Sequence, residues 1–333
     1  MVLKDVFKRP LLDLRISVTD RCNMRCRYCM PREHFDKNHM YLPKSDILTF
    51  EEIVFVVESL LPTGLRKVRL TGGEPLIRKD LHILIGNLRA LSPELDIALT
   101  TNAHLLSDSI EQLKQAGLSR ITVSLDAIDV GIYQSMGDTK STPDTIIESI
   151  DKTLALDIPV KVNTVVQKGV NENQIIPLIQ EMGPRNVPIR FIEYMDVGGT
   201  NSWNLEHVVS GEEMRAQIEG EFGPIQQNKP NHPSDVARTY STKLGYIVGF
   251  IESISKPFCG DCSRARLSAN GSIFTCLFAS KGHDIRSILR MDASKNEISN
   301  AISSIWSQRK DRYSETRTEK THTERIEMSF IGG

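Results

Sequence analysis

The sequence has no long hydrophobic segment, no excess of one charge and few aromatic residues. Its longest apolar run, at residues 53–61, is interrupted by Glu58 and is far shorter than the roughly 20 residues that span a bilayer. Basic residues number 41 against 42 acidic ones, and 6% of the residues are aromatic, which argues against a nucleic-acid platform. Residues 1–10 are charged and no apolar core follows them, so no secretory signal is expected. These absences favour a cytoplasmic protein that binds neither membranes nor nucleic acid.

Cysteine is absent between residues 30 and 258, because the six cysteines fall into two groups of three. The groups are Cys22, Cys26 and Cys29, spaced Cys-x3-Cys-x2-Cys, and Cys259, Cys262 and Cys276, spaced Cys-x2-Cys-x13-Cys. In a reducing compartment such groups are metal ligands or reactive thiols rather than disulfides. Structural zinc usually takes four ligands, whereas three thiolates on a [4Fe–4S] cluster leave one iron open for a small molecule. From the residues alone, both readings remain open.

Strand and helix patterns alternate six times between residues 11 and 195. The predicted strands are residues 14–18, 67–70, 96–99, 121–125, 160–166 and 189–193, and the predicted helices are residues 50–61, 80–91, 107–116, 143–156 and 173–182. Thr49 and Glu52 form a capping box, and Gly117 follows a helix as its expected left-handed stop. Serial strand–helix units predict parallel pairing with right-handed crossovers. We therefore expect an α/β fold, a partial (β/α)6 TIM-type barrel with its site at the carboxyl ends of the strands.

The pattern changes at Gly198-Gly199, which divides the chain into a predicted barrel domain (1–197) and a C-terminal α+β extension (198–333). The extension has a predicted helix at 210–219 and strands at 246–251 and 265–267. Asn270-Gly271 indicates a two-residue hairpin. The charged segment from Asp311 onwards is expected to lie on the surface.

Polar or unusual residues follow the predicted strands. They are Gly72-Gly73-Glu74-Pro75, Thr100-Thr101-Asn102, Ser124-Leu125-Asp126, Lys161-Val162-Asn163 and Met195. A plain strand-to-helix turn is the less favoured alternative for Gly72–Pro75, whereas each of the other strand ends alone is equally well explained as a turn former or helix cap. Together, at one edge of a parallel sheet, they predict a binding site.

The first cysteine loop, with Tyr28 before its last cysteine, and the Gly72–Pro75 turn resemble the radical S-adenosylmethionine (SAM) superfamily. The resemblance implies that Cys22, Cys26 and Cys29 hold a [4Fe–4S] cluster whose open iron chelates SAM. Reduction of that cluster then cleaves SAM to a 5′-deoxyadenosyl radical. The residues implied to contact SAM are Tyr28, Gly73, Ser124 and Met195.

Over nearly its full length the sequence is similar to the GTP 3′,8-cyclase family, radical SAM lyases that open molybdenum-cofactor biosynthesis. The similarity includes Cys259–Cys262, Arg264-Ala265-Arg266, Cys276 and the terminal Gly332-Gly333. It implies a second [4Fe–4S] cluster that binds guanine, and cyclisation of GTP to (8S)-3′,8-cyclo-7,8-dihydroguanosine 5′-triphosphate. It also implies a flavodoxin- or ferredoxin-like electron donor, a downstream cyclic pyranopterin monophosphate synthase and a possible homodimer.

Basic residues on the predicted strands point to an anionic ligand, because buried unpaired charge is costly. Lys67 and Arg69 share one strand face, as do Arg264 and Arg266, and paired guanidinium groups suit phosphate. Ordinary salt bridges explain Lys67 and Arg190 equally well. The GTP contacts that the resemblance implies are Arg15, Arg69, Thr100, Lys161, Arg264, Ala265 and Arg266. It also implies that the Gly332-Gly333 tail enters the active site.

One difficulty and two other readings remain. A turn that pairs Ala269 with Ser272 puts Cys276 on the face of Ala265, so either a bulge shifts the register or the arginines reach the phosphates from elsewhere. The other readings are a peptide-modifying radical SAM enzyme with auxiliary clusters, for which three C-terminal cysteines are few, and a zinc protein that binds nucleotides or RNA without catalysis.

Overall fold

The computed structural model of the protein describes residues 2–230, 232, 234–317 and 325–332. In this part of the chain, twelve strands belong to one sheet. They are β1 (Asp13–Ser17), β2 (Lys67–Thr71), β3 (Asp96–Thr101), β4 (Arg120–Ser124), β5 (Val160–Val166), β6 (Ile189–Glu193), β7 (Gln226–Gln227), β8 (Arg238–Ser241), β9 (Ile247–Ile251), β10 (Arg264–Leu267), β11 (Ser272–Phe274) and β12 (His283–Asp284). Their order across the sheet is β12-β11-β10-β1-β2-β3-β4-β5-β6-β9-β8-β7.

The centre of this sheet is parallel and its flanks are antiparallel. Strands β1 to β6 pair in chain order, as the alternating pattern predicts. Strand β10 adds in parallel beside β1 and β9 adds in parallel beside β6, so the C-terminal segment extends both edges of the N-terminal sheet. The sheet is not closed, which confirms the expected partial barrel with a C-terminal extension. The division at residues 197/198 stays a prediction.

The helices follow the strands along the chain, and those between β1 and β6 cover the outer face of the sheet. They are α1 (Phe50–Leu60), α2 (Leu81–Leu91), α3 (Leu106–Gln115), α4 (Val130–Gly137), α5 (Pro143–Ala155), α6 (Ile175–Met182), α7 (Gly211–Phe222), α8 (Arg286–Leu289), α9 (Lys295–Ser307), α10 (Tyr313–Thr316) and α11 (Met328–Ile331). Thr49 and Glu52 form the predicted capping box of α1, and Gly117 has the predicted left-handed conformation, with a φ of 94°. Helix α4 and helices α8 to α11 were not predicted, although Ser294 and Glu297 form a capping box before α9.

Strand alternation separates a dry outer face from a charged inner one. On β1, Leu14 and Ile16 are fully buried against the helices, whereas Asp13, Arg15 and Ser17 occupy the opposite face. The same alternation on the neighbouring strands β2 and β10 directs Arg69 and Arg266 into the lumen of the partial barrel, whereas β9 presents Gly249 and Ile251 there. The fold therefore creates one internal polar space, enclosed by an apolar layer.

The hairpin between β10 and β11 differs from the expected two-residue turn. Arg266 pairs with Phe274, and the Ser268 amide donates to the Ser272 carbonyl, so three residues form the loop. Gly271, with a φ of 81°, supplies the left-handed position that such a loop requires. This register places Cys276 on the face of Arg264 and Arg266, which removes the difficulty that the sequence raised.

The C-terminal segment is also more buried than expected. Arg309 is 4% exposed, Ser329 is 3% exposed and Ile331 is fully buried. The expectation of a surface-lying segment from Asp311 onwards is therefore wrong for Ser329 and Ile331, because α11 packs against β1, whereas Arg312, Glu315 and Thr316 are exposed as expected. No helix in the described ranges combines the length and apolarity needed to cross a membrane.

Candidate active site

A cavity of about 290 Å³ occupies the lumen and joins the two cysteine groups. Cys22, Cys26 and Cys29 follow β1 and lie at the carboxyl ends of the parallel strands. Cys262 precedes β10, which runs parallel to β1, and therefore lies at the amino ends. All six cysteines line the cavity. We expected the site at the carboxyl ends of the strands, and this expectation located only one end of it. Strands β10 and β11 bring the second cysteine group to the opposite end.

The first cysteine group consists of partly buried thiols in the cavity wall. Burial raises the pKa of Cys22 to about 11 and raises the pKa values of Cys26 and Cys29 further, so all three thiols are neutral unless a cation stabilises their thiolates. Within the described residues, no three His, Cys, Asp or Glu side chains converge on a point where they would share a single metal ion.

The Gly72–Pro75 turn packs directly on the cysteine loop. A Cβ atom on Gly73 would lie 2.1 Å from the Arg21 carbonyl oxygen, so only glycine fits there. Glu74 is buried and accepts hydrogen bonds from the Thr101 hydroxyl (2.7 Å) and the Asn102 amide (2.8 Å). Burial raises the pKa of Glu74 to about 7. The turn therefore joins the ends of β2 and β3 to the cysteine loop and sets the shape of the cavity wall.

Tyr28 is held in place by a second buried carboxylate. Its hydroxyl donates to Asp126 at 2.7 Å, and the Val165 amide donates to the same carboxylate at 2.9 Å. Burial raises the pKa of Asp126 to about 6. Ser124 and Met195 line the same cavity. The structure thus brings together Tyr28, Gly73, Ser124 and Met195, the four residues that the sequence resemblance assigned to SAM; these roles stay predictions.

The second cysteine group has a strongly basic surrounding. Arg264 and Arg309 each donate to the sulfur of Cys262 at 3.3 Å. Burial opposes ionisation of this thiol, but the two guanidinium groups outweigh it and lower the pKa of Cys262 to about 6. Burial raises the pKa of Cys276 to about 11. One thiolate of this group is therefore stabilised by the protein itself.

Two rows of charged side chains cross the lumen between the cysteine groups. Strand register aligns Arg69, Arg15 and Arg266 in one row, and Lys67, Asp13 and Arg264 in the next. All six side chains lie on the lumen face. The two rows together contain five cations and one carboxylate.

The cations of these rows lack enough anionic partners. One buried guanidinium nitrogen in each of Arg15, Arg69, Arg264 and Arg266 makes no hydrogen bond among the described residues. Burial, followed by repulsion from Arg264 and Arg69, lowers the pKa of Arg15 to about 9. A polyanionic ligand would relieve both the missing hydrogen bonds and the repulsion.

The remaining residues that were predicted to contact GTP differ in their position relative to the cavity. Thr100 and Arg190 line the cavity, and the Thr100 hydroxyl accepts from Arg69 at 3.0 Å. Lys67 forms an ion pair with Asp13 at 3.2 Å, which is the salt-bridge alternative for that residue.

Two other predicted contacts lie outside the wall of the cavity. Lys161 is on the lumen face of β5, two residues before Asn163, but does not itself line the cavity. Ala265 is fully buried on the opposite face of β10 from the arginines, so only its backbone is placed to contact a ligand.

The C-terminal tail reaches the carboxyl end of the cavity. Met328 and Ser329 line it, and a Cβ on Gly332 would lie 2.5 Å from Thr71. Arg325 forms an ion pair with Asp196, and Glu327 accepts hydrogen bonds from the Gly199 amide and the Thr200 hydroxyl. The predicted role of Gly333 lies outside the described residues.

Several wall residues had no role in the sequence interpretation. Glu74, Asp126 and Asn163 stood within motifs that we singled out, but nothing in the sequence distinguished them from their neighbours. Arg309 and Asp311 had no signal at all, because their positions depend on how the chain returns to β10 after α9.

Comparison with known proteins supports an assignment to a family. Residues 16–182 match the family model of the radical SAM superfamily, and residues 187–315 match that of molybdenum cofactor synthesis C. Proteins named GTP 3′,8-cyclase from Staphylococcus saprophyticus and Staphylococcus carnosus are 45% and 44% identical to this chain, each comparison covering 99% of both chains. The crystal structure of Streptococcus suis SuiB bound to S-adenosylmethionine aligns with a TM-score of 0.62 at 16% identity, over 95% of this chain and 69% of that one, which shows the fold alone. With both family models matched in order along one chain, and relatives aligned from end to end, this protein belongs to the GTP 3′,8-cyclase family of radical SAM enzymes.

Proposed function

We propose that this protein uses SAM and two [4Fe–4S] clusters to convert GTP into (8S)-3′,8-cyclo-7,8-dihydroguanosine 5′-triphosphate, a step of molybdenum-cofactor biosynthesis. Membership of the radical SAM superfamily implies SAM and an iron–sulfur cluster. The second cluster and the substrate are the proposed part. The observation that carries the proposal is a cavity with a three-cysteine group at each end and, between them, two rows of charged side chains in which cations outnumber carboxylates five to one.

The cysteine groups are suited to clusters rather than to zinc. Each has three thiols that line a shared cavity, and within the described residues no three potential ligands are placed to share one ion. A cubic cluster takes its ligands at separate corners and keeps one corner for a small molecule. Cys22, Cys26 and Cys29 would hold the first cluster, and Cys259, Cys262 and Cys276 the second.

The first cluster, when bound, supplies the electron that cleaves SAM reductively. The protein contributes the position of SAM. Tyr28, fixed by Asp126, forms part of the wall beside the cysteines, and the backbone of Gly73 offers its carbonyl to the SAM amino group. Ser124 and Met195 complete the proposed contacts at this end. Enclosure of the site limits competing hydrogen donors and water.

The charged rows hold the substrate at the other end. Arg15, Arg264 and Arg266 have the fork geometry that binds phosphate oxygens in pairs, and their empty hydrogen-bonding capacity matches a triphosphate. Arg69, Thr100 and Lys161 are the proposed ribose and phosphate contacts towards β3 and β5. With guanine at the second cluster, the ribose lies between the two ends, where its C3′ hydrogen faces SAM.

The proposed reaction also defines partners. The enzyme needs an external one-electron donor of the flavodoxin or ferredoxin type, and its product is consumed by cyclic pyranopterin monophosphate synthase. We further propose a cytoplasmic location and a possible homodimer. Gly332 is proposed to reach the bound ligands from the carboxyl end.

Metal analysis of anaerobically purified and reconstituted protein tests the two-cluster proposal. About eight irons per chain supports it, because each cluster contains four. Two zinc ions and no iron would support a non-enzymatic zinc protein instead.

The substrate is tested by anaerobic incubation with SAM, dithionite and each nucleoside triphosphate in turn. We expect deoxyadenosine and a cyclised nucleotide with GTP. Formation of deoxyadenosine with ATP but not with GTP would refute the substrate assignment.

A further inference from the structure

Arg309 contacts the second cysteine group from a fully enclosed position. Its side chain is 2% exposed, and it donates to the Cys262 carbonyl at 2.7 Å and to the Cys262 sulfur at 3.3 Å. The guanidinium lies over the ring of Trp306, with its central carbon 4.5 Å from the ring centroid. This stacking fixes the plane of the guanidinium and therefore the direction of its donors.

The surrounding network holds the rest of the cysteine group in the same way. Arg9 pairs with Asp5 at 2.5 Å and donates to the carbonyls of Cys259 and Asp311, both at 2.8 Å. The Asp311 carboxylate accepts a hydrogen bond from the hydroxyl of Thr275, the residue before Cys276. Residues from both ends of the chain thus hold Cys259, Cys262 and the residue before Cys276. Arg309 is the member of this network that donates to a sulfur, and it does so beside Arg264 of β10.

The contacts of Arg309 are directed at Cys262 more than at its carboxylate neighbours. The shortest distance from its guanidinium to Asp5 is 3.6 Å and that to Asp311 is 3.4 Å. Both exceed its 2.7 Å and 3.3 Å contacts with Cys262. Asp5 has a closer partner in Arg9, and Asp311 has one in Thr275. A purely structural ion pair would show the reverse order of distances.

A cation that donates to a ligating sulfur changes the redox properties of a cluster. Reduction adds negative charge that is shared by the cluster and its thiolates, and a nearby hydrogen-bonded cation stabilises that charge. We propose that Arg309 is a positioning residue that raises the reduction potential of the second cluster above the value that the same three cysteines would otherwise give. This inference rests on the proposed second cluster.

The test isolates that cluster in the full-length chain. A background in which Cys22, Cys26 and Cys29 are replaced by serine keeps only the second group, and anaerobic reconstitution should give about four irons. In this background we compare the unchanged Arg309 with Arg309→Gln and Arg309→Lys. Arg312→Gln is the matched control, because Arg312 is three residues away, half exposed and paired with Glu315.

The potentials are measured by redox titration followed by electron paramagnetic resonance. At the midpoint of the parent, we expect Arg309→Gln to shift the ratio of oxidised to reduced cluster at least tenfold towards the oxidised form, which corresponds to about 59 mV for one electron. Arg309→Lys keeps the charge but cannot reproduce the two-pronged contact, so its potential falls by less. Arg312→Gln leaves the potential unchanged.

The outcomes separate this inference from the proposed function. If the background protein binds no iron, the proposal of a second cluster is refuted. A background protein with about four irons, and potentials that do not move in either Arg309 variant, would overturn the role of Arg309 and leave the second cluster standing. Should Arg309→Gln fail to retain iron, the potential of Arg309→Lys decides between the two outcomes.

Discussion

Replacing Arg15 by methionine should stabilise the ligand-free protein and weaken its binding of GTP. Arg15 is the central member of the row with Arg69 and Arg266, so its charge is repelled from both sides. Methionine keeps most of the apolar stem and removes the charge. In the absence of substrate, repulsion among the arginines that bind it is thus predicted to lower the free energy of unfolding.

The size of the effect follows from the pKa of Arg15. Burial and the neighbouring arginines lower that pKa from 12.5 to about 9, and each pKa unit corresponds to about 1.4 kcal/mol, so the cost of the charge is at most about 5 kcal/mol. Relaxation and water in the cavity reduce it. We expect the free energy of unfolding to rise by about 1–3 kcal/mol, within the range seen when buried charges are replaced by apolar groups.

The loss of affinity follows from the missing hydrogen bonds. Hydrogen bonds to charged groups contribute about 1.5–3 kcal/mol, which corresponds to a roughly 10- to 100-fold weaker binding of GTP. Urea unfolding of the anaerobic, ligand-free protein and equilibrium dialysis with GTP measure the two quantities. Arg185→Met is the control, because Arg185 pairs with Asp151 and Glu181 away from the cavity.

The two measurements must move in opposite directions. If Arg15→Met lowered the free energy of unfolding and left the dissociation constant for GTP unchanged, Arg15 would be a structural residue. The reasoning about an unsatisfied cationic row would then be refuted.

Three further predictions concern other parts of the site. Cys276→Ser should retain reductive cleavage of SAM, measured as deoxyadenosine formed, but lose nucleotide conversion; retained conversion would contradict the anchoring role of the second cluster. Burial and Arg190 lower the pKa of Lys161 from 10.5 to about 8, so between these pH values the unfolded chain binds more protons. The free energy of unfolding of the ligand-free protein should therefore rise with pH relative to Lys161→Met, and parallel pH profiles from urea titrations would disprove this. Glu327→Ala removes the acceptor for Gly199 and Thr200, so residues 325–332 should exchange deuterium several-fold faster by mass spectrometry and turnover should fall, whereas Glu315→Ala should change neither.

The central part of the fold was predictable from local patterns. The strand at 160–166 and the strand at 189–193 were predicted at their observed bounds, because β-branched and aromatic residues such as Val160, Val162 and Phe191 alternate with polar ones along them. The capping box correctly predicted the start of α1. The spacing of the cysteines and the alternation of the arginines along the strands predicted which of them belong to the site.

Long-range geometry was not predictable in this way. That β9 and β10 join opposite edges of the sheet depends on pairing between distant segments, and local periodicity carries no information about it. The position of Arg309 has the same origin. The hairpin register was missed by one residue because Asn-Gly favours a two-residue turn, while the structure uses Gly271 as the third residue of a longer loop.

The addition of β10 beside β1 has a consequence for biosynthesis of the protein. Asp13 and Arg264 become neighbours only after almost the entire polypeptide has left the ribosome, and β1 must wait with one edge uncovered until then. Contacts of such wide sequence separation form late and slowly. A polypeptide that terminates before β10 would therefore leave the backbone of β1 unpaired at one edge of the sheet and would lack part of the second cysteine group. Such fragments are expected to aggregate rather than to be partly active.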